Sequence, residues 1–185
     1  MKMQGWPSAS AVLGFMATTA ITTLAVSTDA WSQQKQPVSF SVPPAATRYT
    51  QEHVIDVGDV PGHQVRVFEL HWDDSMTGLA FAGVKAKETW IRGMSDYTNG
   101  NGTANNYNVH VMEDGNKVFA KVSVLSQAST NAEGAKVLRF ASVETILGGT
   151  GKFSKLRGTL RGASERVVGS SAAAAEINGE VWFEE

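Results

Sequence analysis

The sequence contains no cysteine in its 185 residues. This absence excludes disulfide bonds, thiolate nucleophiles and cysteine-based metal sites. Charge is also sparse and balanced, with 16 Lys and Arg against 18 Asp and Glu, and neither sign clusters along the chain. A protein that binds nucleic acid or an anionic membrane usually carries a basic patch. We therefore expect a small molecule or another protein as the partner, and no nucleic acid.

Long apolar runs are missing except near the N-terminus. There Lys2 precedes an uncharged apolar stretch at about residues 11–26, and small residues follow around Ala30 and Ser32. This layout predicts a signal peptide at residues 1–32 and an exported protein, either periplasmic or secreted. An uncleaved anchor is the alternative, but the stretch is shorter than the ~20 residues that cross a bilayer. No later segment is apolar for long enough, so we expect no membrane contact after cleavage.

The rest of the chain divides into a short linker and one domain. Residues 33–47 are rich in Gln, Ser and Pro, and proline disrupts both helices and central strands. We interpret them as a Pro-rich tether; the alternative is a first edge strand at residues 38–42. Residues 48–185 have the length of a single domain with a sizeable core.

The domain is predicted to be all-β. Runs of β-branched and aromatic residues alternate with Gly, Asn and Asp, and no window keeps helical periodicity over three turns. The predicted strands are Tyr49–Val57, His63–Trp72, Lys85–Tyr97, Thr103–Met112, Lys117–Ser126, Lys136–Leu147, Lys155–Ser164 and Ala174–Glu184. Turn residues at 59–62 and 113–116 favour short antiparallel connections. Closing such a sheet removes its bare edges, so we predict an eight-stranded antiparallel up-and-down β-barrel, with a sandwich as the alternative.

The most distinctive motif is the glycine-rich segment at residues 146–153, Ile-Leu-Gly-Gly-Thr-Gly-Lys-Phe, followed by Leu-Arg-Gly at 156–158. A phosphate-binding loop needs Ser or Thr after the lysine, but Phe153 stands there and a strand follows instead of a helix. We predict a tight structural corner between two strands, with Phe153 folded inward as a plug. The glycines of this corner are Gly148, Gly149, Gly151 and Gly158.

This corner resembles the allene oxide cyclase and dirigent protein superfamily, including its bacterial secreted members. The segments Asn99–Gly102, Tyr107–His110 and Asp114–Ala120 are similar to those members as well, and the resemblance extends from about Thr89 to the C-terminus. It implies an eight-stranded barrel, often a homotrimer, that holds a hydrophobic small molecule. It also implies cyclisation or stereoselective coupling of that molecule without a cofactor. The pocket residues of the plant proteins have no one-to-one counterparts here, so their activities are not carried over.

Glu144 and His110 are the candidate catalytic residues. Strand alternation puts Glu144 on one face with Phe140 and other apolar residues, and an enclosed carboxylate suits a general acid or base. The alternatives are an ion pair with Arg or Lys and a subunit contact. His110 shares its face with two asparagines, and a histidine can act as a proton shuttle near neutral pH. Its alternative is a solvated or simply hydrogen-bonded side chain.

Six further residues are predicted to bind the ligand. Trp90 and Arg92 lie on one strand face and can stack on a flat molecule, although Glu88 and Arg92 are also spaced for an ion pair. Tyr97 and Tyr107 flank the Asn/Gly loop, where they either line the barrel mouth or act as plugs. The complete set is Trp90, Arg92, Tyr97, Tyr107, Phe140 and Phe153.

Two other chemistries find no support in the residue pattern. His71, Asp73 and Asp74 lie together at a strand end, but their spacing is not that of a metal site, and no metal is expected. Serines are abundant, yet none lies in a nucleophile elbow. The sequence therefore favours a cofactor-free barrel that binds a hydrophobic small molecule and directs its cyclisation, isomerisation or coupling. The alternatives are a lipocalin-like carrier and an interaction module with a solid core.

Overall fold

The structure is a computed structural model that describes residues 34–170 and 173–185, which belong to one compact unit. The predicted signal peptide, residues 1–32, lies outside the described residues. No helix in the described part of the chain is long and apolar enough to cross a membrane.

The fold is all-β, as predicted, and its long strands are antiparallel. The described residues form ten strands, numbered β1 to β10 in chain order: Gln36–Val42, Thr47–Asp56, His63–Asp73, Ala80–Phe81, Val84–Thr98, Asn101–Met112, Lys117–Thr130, Lys136–Gly149, Leu156–Val167 and Ala174–Phe183. The eight predicted strands correspond to β2, β3 and β5 to β10. The additional strands are β1 and the two-residue β4.

The strands form one sheet in the order β1-β10-β9-β8-β7-β6-β5-β3-β2, and β4 pairs with β5. Most neighbours in the sheet are neighbours in the chain, which is the predicted meander. The sheet is not closed, however, because β1 and β2 form its two edges and are not hydrogen-bonded to each other within the described residues. The prediction of a closed eight-stranded barrel is therefore wrong in both strand count and closure.

The predicted tether is also wrong for residues 36–42, which form β1 and pair with β10. Val38, Phe40 and Val42 alternate along β1 and are all buried in the core. Their burial provides the driving force for the strand. Pro37 is tolerated because β1 is an edge strand, where a missing backbone N–H breaks no central ladder.

Hairpin turns in this meander fall alternately at two ends of the sheet. The β5–β6 turn consists of Asn99 and Gly100, whose φ angles are 53° and 84°. Two successive positive φ angles are the geometry of the two-residue hairpin turn that Asn-Gly favours. The β2–β3 and β9–β10 connections lie at this same end, which we call the turn end.

The opposite end of the sheet is filled by the hydrophobic core. Phe81, Leu79, Met112 and Phe153 are almost completely buried there. Phe153 ends the short 3-10 helix Gly151–Phe153, which connects β8 to β9. The connection is tightly packed, since a Cβ atom on Gly149 would overlap the backbone oxygen of Lys117. We call this the core end.

Candidate functional site

The sheet encloses a cavity of about 480 Å³. This volume lies within the range of small-molecule sites, roughly 300–1,000 Å³. Every long strand contributes to the lining, including Val42 from β1 and Tyr49 from β2, the two edges of the sheet. A single sheet can line one cavity with both edges and its middle only if it curls around that cavity.

The cavity extends to the turn end of the sheet. Its lining includes Gly62, Asn99, Gly100 and Ala173, which belong to three turn-end connections. No residue of the described core-end connections lines it, and Phe153 and Phe81 pack below its floor. We therefore place the opening at the turn end.

Most of the cavity wall is apolar, with Phe68, Leu70, Ile91, Val122 and Phe140 among its residues. Three charged side chains interrupt this wall in the described part of the chain. They are Arg66, Glu144 and Arg166. An apolar wall with a few placed polar groups is the usual composition of a ligand site.

Glu144 is enclosed, with only 5% of its surface exposed. Its Oε1 atom accepts a hydrogen bond from Asn108 Nδ2 at 3.1 Å and lies 2.9 Å from His110 Nε2. Its Oε2 atom has no hydrogen-bond partner among the described residues. This oxygen nevertheless keeps some accessible surface, since it is not completely buried. Oε2 therefore faces the cavity and is accessible to a ligand.

His110 connects Glu144 to a second carboxylate. Its ring is completely buried, and its Nδ1 atom lies 2.8 Å from the hydroxyl of Thr89. That hydroxyl lies 2.5 Å from Oδ2 of Asp74, which is also buried. Phe81 packs edge-on against the imidazole, with ring centroids 5.3 Å apart. The order of contacts is Asp74, Thr89, His110, Glu144.

The geometry of this chain permits proton transfer along it. If Thr89 donates to Asp74, then His110 Nδ1 donates to Thr89, and one further proton is shared between His110 Nε2 and Glu144. If Asp74 is protonated and donates to Thr89, then Thr89 donates to Nδ1 and Nε2 donates to ionised Glu144. Both arrangements contain the same number of protons. The contacts therefore form a relay between Asp74 and the cavity-facing Glu144.

Burial raises the pKa of Asp74 above its usual value of 3.8. Hydrogen bonds from Thr89 and Thr77 and the nearby histidines oppose this rise, but desolvation is the larger effect. A raised pKa means that the folded protein keeps the Asp74 proton at pH values where the unfolded chain has lost it. The stability that this carboxyl contributes is complete below about pH 3.8 and is lost as pH rises through the raised value.

We expect Asp74→Asn to remove this pH dependence. An asparagine amide can donate to Thr89 and accept from Thr77, as protonated Asp74 does, but it does not titrate. As pH rises above about 4, the wild type should progressively lose unfolding free energy relative to the variant, measured by urea denaturation at increasing pH. Asp73→Asn is the control, since a hydrogen bond from Ser75 lowers the pKa of Asp73 and reverses the trend. Parallel curves for the wild type and Asp74→Asn would contradict the prediction.

The structure brings some of the predicted site residues together and separates others. Glu144, Tyr97 and Phe140 line the cavity, and His110 contacts Glu144 directly. Glu144 pairs with a histidine and an asparagine, whereas the sequence had suggested an Arg or Lys as the structural alternative. Phe153 does not reach the cavity because it is part of the core beneath it.

Trp90, Arg92 and Tyr107 do not fit their predicted role as ligand contacts. None of them lines the cavity, because strand alternation turns them to the outer face of the sheet. Tyr107 is 59% exposed. Arg92 bonds to Glu69 on the neighbouring strand at 2.6 Å and stacks on Trp90. Its partner is therefore a cross-strand glutamate and not Glu88.

Sequence reasoning missed Asp74, Thr89 and Arg166. Asp74 was considered only as a member of an unconvincing metal cluster, whereas it is buried at the start of a short 3-10 helix. A usable signal was present in β6, where Asn106, Asn108 and His110 alternate on one face. That face is the inner one, and Asn106 donates to Asn108 at 2.7 Å.

Among the described residues, no group of three or more His, Asp or Glu side chains is arranged to hold a metal ion. No protein-family model, curated protein or solved structure matches the chain.

Proposed function

We propose that the protein binds a hydrophobic small molecule in its cavity and that Glu144, with His110, moves a proton on that molecule. The reaction class is isomerisation, cyclisation or coupling without a cofactor. The observation that carries the proposal is the enclosed Glu144 carboxylate. Its Oε1 is held by Asn108 and His110, and its Oε2 is free towards the cavity.

A carboxylate held in this way suits general acid–base catalysis. Two hydrogen bonds fix the orientation of Oε1, so Oε2 keeps an available electron pair at a defined position. It can take a proton from one position of the ligand and return it to another, which leaves no net change in the protons of the protein. The relay through His110 and Thr89 to Asp74 can redistribute charge while the proton is held.

The sequence resemblance to the allene oxide cyclase and dirigent superfamily agrees with this proposal, because both point to a cofactor-free reaction inside a sheet. A lipocalin-like carrier is the second candidate, and it is favoured by the mostly apolar wall. The cavity volume argues against an interaction module with a solid core.

The first experiment is native mass spectrometry of the protein purified from its own host, followed by denaturing extraction of any bound compound. We expect an apolar compound to be released. Protein stripped of ligand is then incubated with that compound as the wild type, as Glu144→Gln and as Glu165→Gln. Glu165 is an exposed glutamate paired with Arg139, which makes it a matched control.

For the proposed chemistry, we expect the wild type and Glu165→Gln to convert the compound. Glu144→Gln should convert it at least ~100-fold more slowly while still binding it. If all three proteins bind the compound and return it unchanged, the protein is a carrier. If the compound is converted equally by all three, Glu144 is not the catalytic group. A protein that releases no compound and binds no apolar probe would contradict the binding step itself.

We also propose that the mature protein is exported and forms a homotrimer. The N-terminal layout of Lys2 and the apolar stretch supports export. The trimer is supported by the family resemblance. The same mass spectra test both points, because they give the mass of the processed chain and of its assembly.

A further inference from the structure

Arg166 is the least satisfied charged group in the described part of the molecule. It lies on β9 opposite Leu138 of β8, and it lines the cavity. Its Nε atom is fully buried, and among the described residues it is the only buried side-chain nitrogen or oxygen without a hydrogen-bond partner. No described carboxylate forms an ion pair with Arg166. Four other arginines pair with glutamates, namely Arg66, Arg92, Arg139 and Arg157.

An unpaired guanidinium in a cavity wall indicates a missing partner. Arginine cannot lose its charge in a protein, so burial without a counter-ion is unfavourable. The group that best satisfies it is a planar or tetrahedral oxyanion, which accepts two parallel N–H bonds from the guanidinium. Carboxylate, sulfonate and phosphate groups all meet this requirement.

The charges around Arg166 favour an anion at the turn end of the cavity. Arg66 lines the same cavity and is paired with Glu52 of the edge strand β2. Both guanidinium groups lie near Tyr97. Burial raises the pKa of Tyr97, and the positive charges of the two arginines oppose this rise. The one carboxylate in the described lining is Glu144, which is engaged by His110 and Asn108. No acidic group of the wall therefore competes for Arg166.

Glu144 and Arg166 lie far apart along the cavity. The residue opposite Arg166 is Leu138, which precedes Glu144 by six positions on β8. At about 3.3 Å per residue, their Cα atoms are separated by roughly 20 Å along the strand. Between them the wall includes Phe140 and Val124 together with the small hydroxyl side chains of Ser142 and Ser164. A ligand that contacts both ends is elongated and largely apolar in its middle.

We infer that Arg166 binds an anionic group of the ligand. The ligand is then an elongated apolar molecule with a carboxylate, sulfonate or phosphate at one end, which lies at Arg166, and its reactive portion near Glu144. This inference rests on the proposed function, since it specifies the ligand class of the same cavity.

The test uses two fluorescent probes that share one ring system. 8-Anilinonaphthalene-1-sulfonate carries an anion, and N-phenyl-1-naphthylamine is the same framework without it. Each is titrated into the wild type, Arg166→Gln, Arg166→Lys and Arg161→Gln. Arg161 is an exposed arginine on the same strand and is the matched control.

We expect the wild type and Arg161→Gln to bind the sulfonate more tightly than the neutral probe. Arg166→Gln should weaken sulfonate binding at least ~10-fold and leave the neutral probe within ~2-fold, while Arg166→Lys should retain part of the preference. Because Arg166 forms no ion pair or side-chain hydrogen bond with a described residue, Arg166→Gln should not lower the midpoint of thermal unfolding. This measurement establishes that a loss of binding is not a loss of folding.

Three outcomes would count against the inference. Equal loss of both probes in Arg166→Gln would make Arg166 a structural residue. If Arg166→Gln binds the sulfonate as tightly as the wild type does, Arg166 does not bind the anion. Binding of the neutral probe in the same experiment would still support the proposed apolar cavity. Failure of the wild type to bind either probe would overturn the proposed function and this inference together.

Discussion

Replacing Glu144 with leucine is expected to lower the free energy of unfolding by about 3–5 kcal/mol. Leucine fills much of the same space but accepts no hydrogen bond. His110 Nε2 and the Asn108 amide would then lose their acceptor in a site without other described partners. Urea denaturation at neutral pH measures the change.

Glu144→Gln separates this structural role from the chemical one. Glutamine keeps the size of the side chain and an oxygen that can accept from His110 and Asn108, so we expect it to cost less than about 1.5 kcal/mol. A leucine variant as stable as the glutamine variant would show that the contacts of Glu144 contribute little to folding. The glutamine variant is the one to use in activity measurements, because its fold is preserved.

Phe153→Ala is expected to cost about 3–5 kcal/mol as well, for a different reason. The side chain is completely buried at the core end, where it packs with Phe81 and Met112. Its removal leaves a void that the glycine-rich corner cannot easily fill, because Gly149 is already in close contact with the backbone of Lys117.

The control for this prediction is Phe119→Ala. Phe119 lies on the outer face of β7 and is 36% exposed, so its truncation removes less buried surface and leaves no internal void. We expect less than half of the Phe153→Ala cost in the same urea measurement. Similar costs for the two variants would mean that Phe153 is not a structural plug.

The sequence predicted strands well because each depends on local alternation and turn residues. The turn residues at 59–62 and 113–116 mark short antiparallel connections, and the predicted strand ends lie within a few residues of those observed. β1 was only the alternative to a tether, because proline content outweighed the alternation of Val38, Phe40 and Val42. In the folded protein, the burial of these three side chains stabilises the strand. Their burial depends on pairing with β10, which is far away in the sequence.

The site was predictable only in part, for a similar reason. Strand alternation predicts that Glu144 shares a face with apolar residues, but it does not tell which face turns inward. The relay joins residues 15, 21 and 34 positions apart, and these contacts arise from the curvature and register of the sheet. Trp90 and Arg92 were wrongly predicted to contact the ligand, because the polar outer face of their strand resembles a binding surface.

The unclosed seam between β1 and β2 determines how copies of this protein can meet. A free strand edge is normally a template for fibril growth, because it can recruit a strand from another molecule. Here Pro37 removes a donor from β1, while β2 has a bulge between Tyr49 and Gln51 and an exposed, charged stretch that includes Glu52 and Asp56. These features disfavour edge-to-edge addition. We therefore expect an assembly of copies to use the faces of the strands instead of their edges.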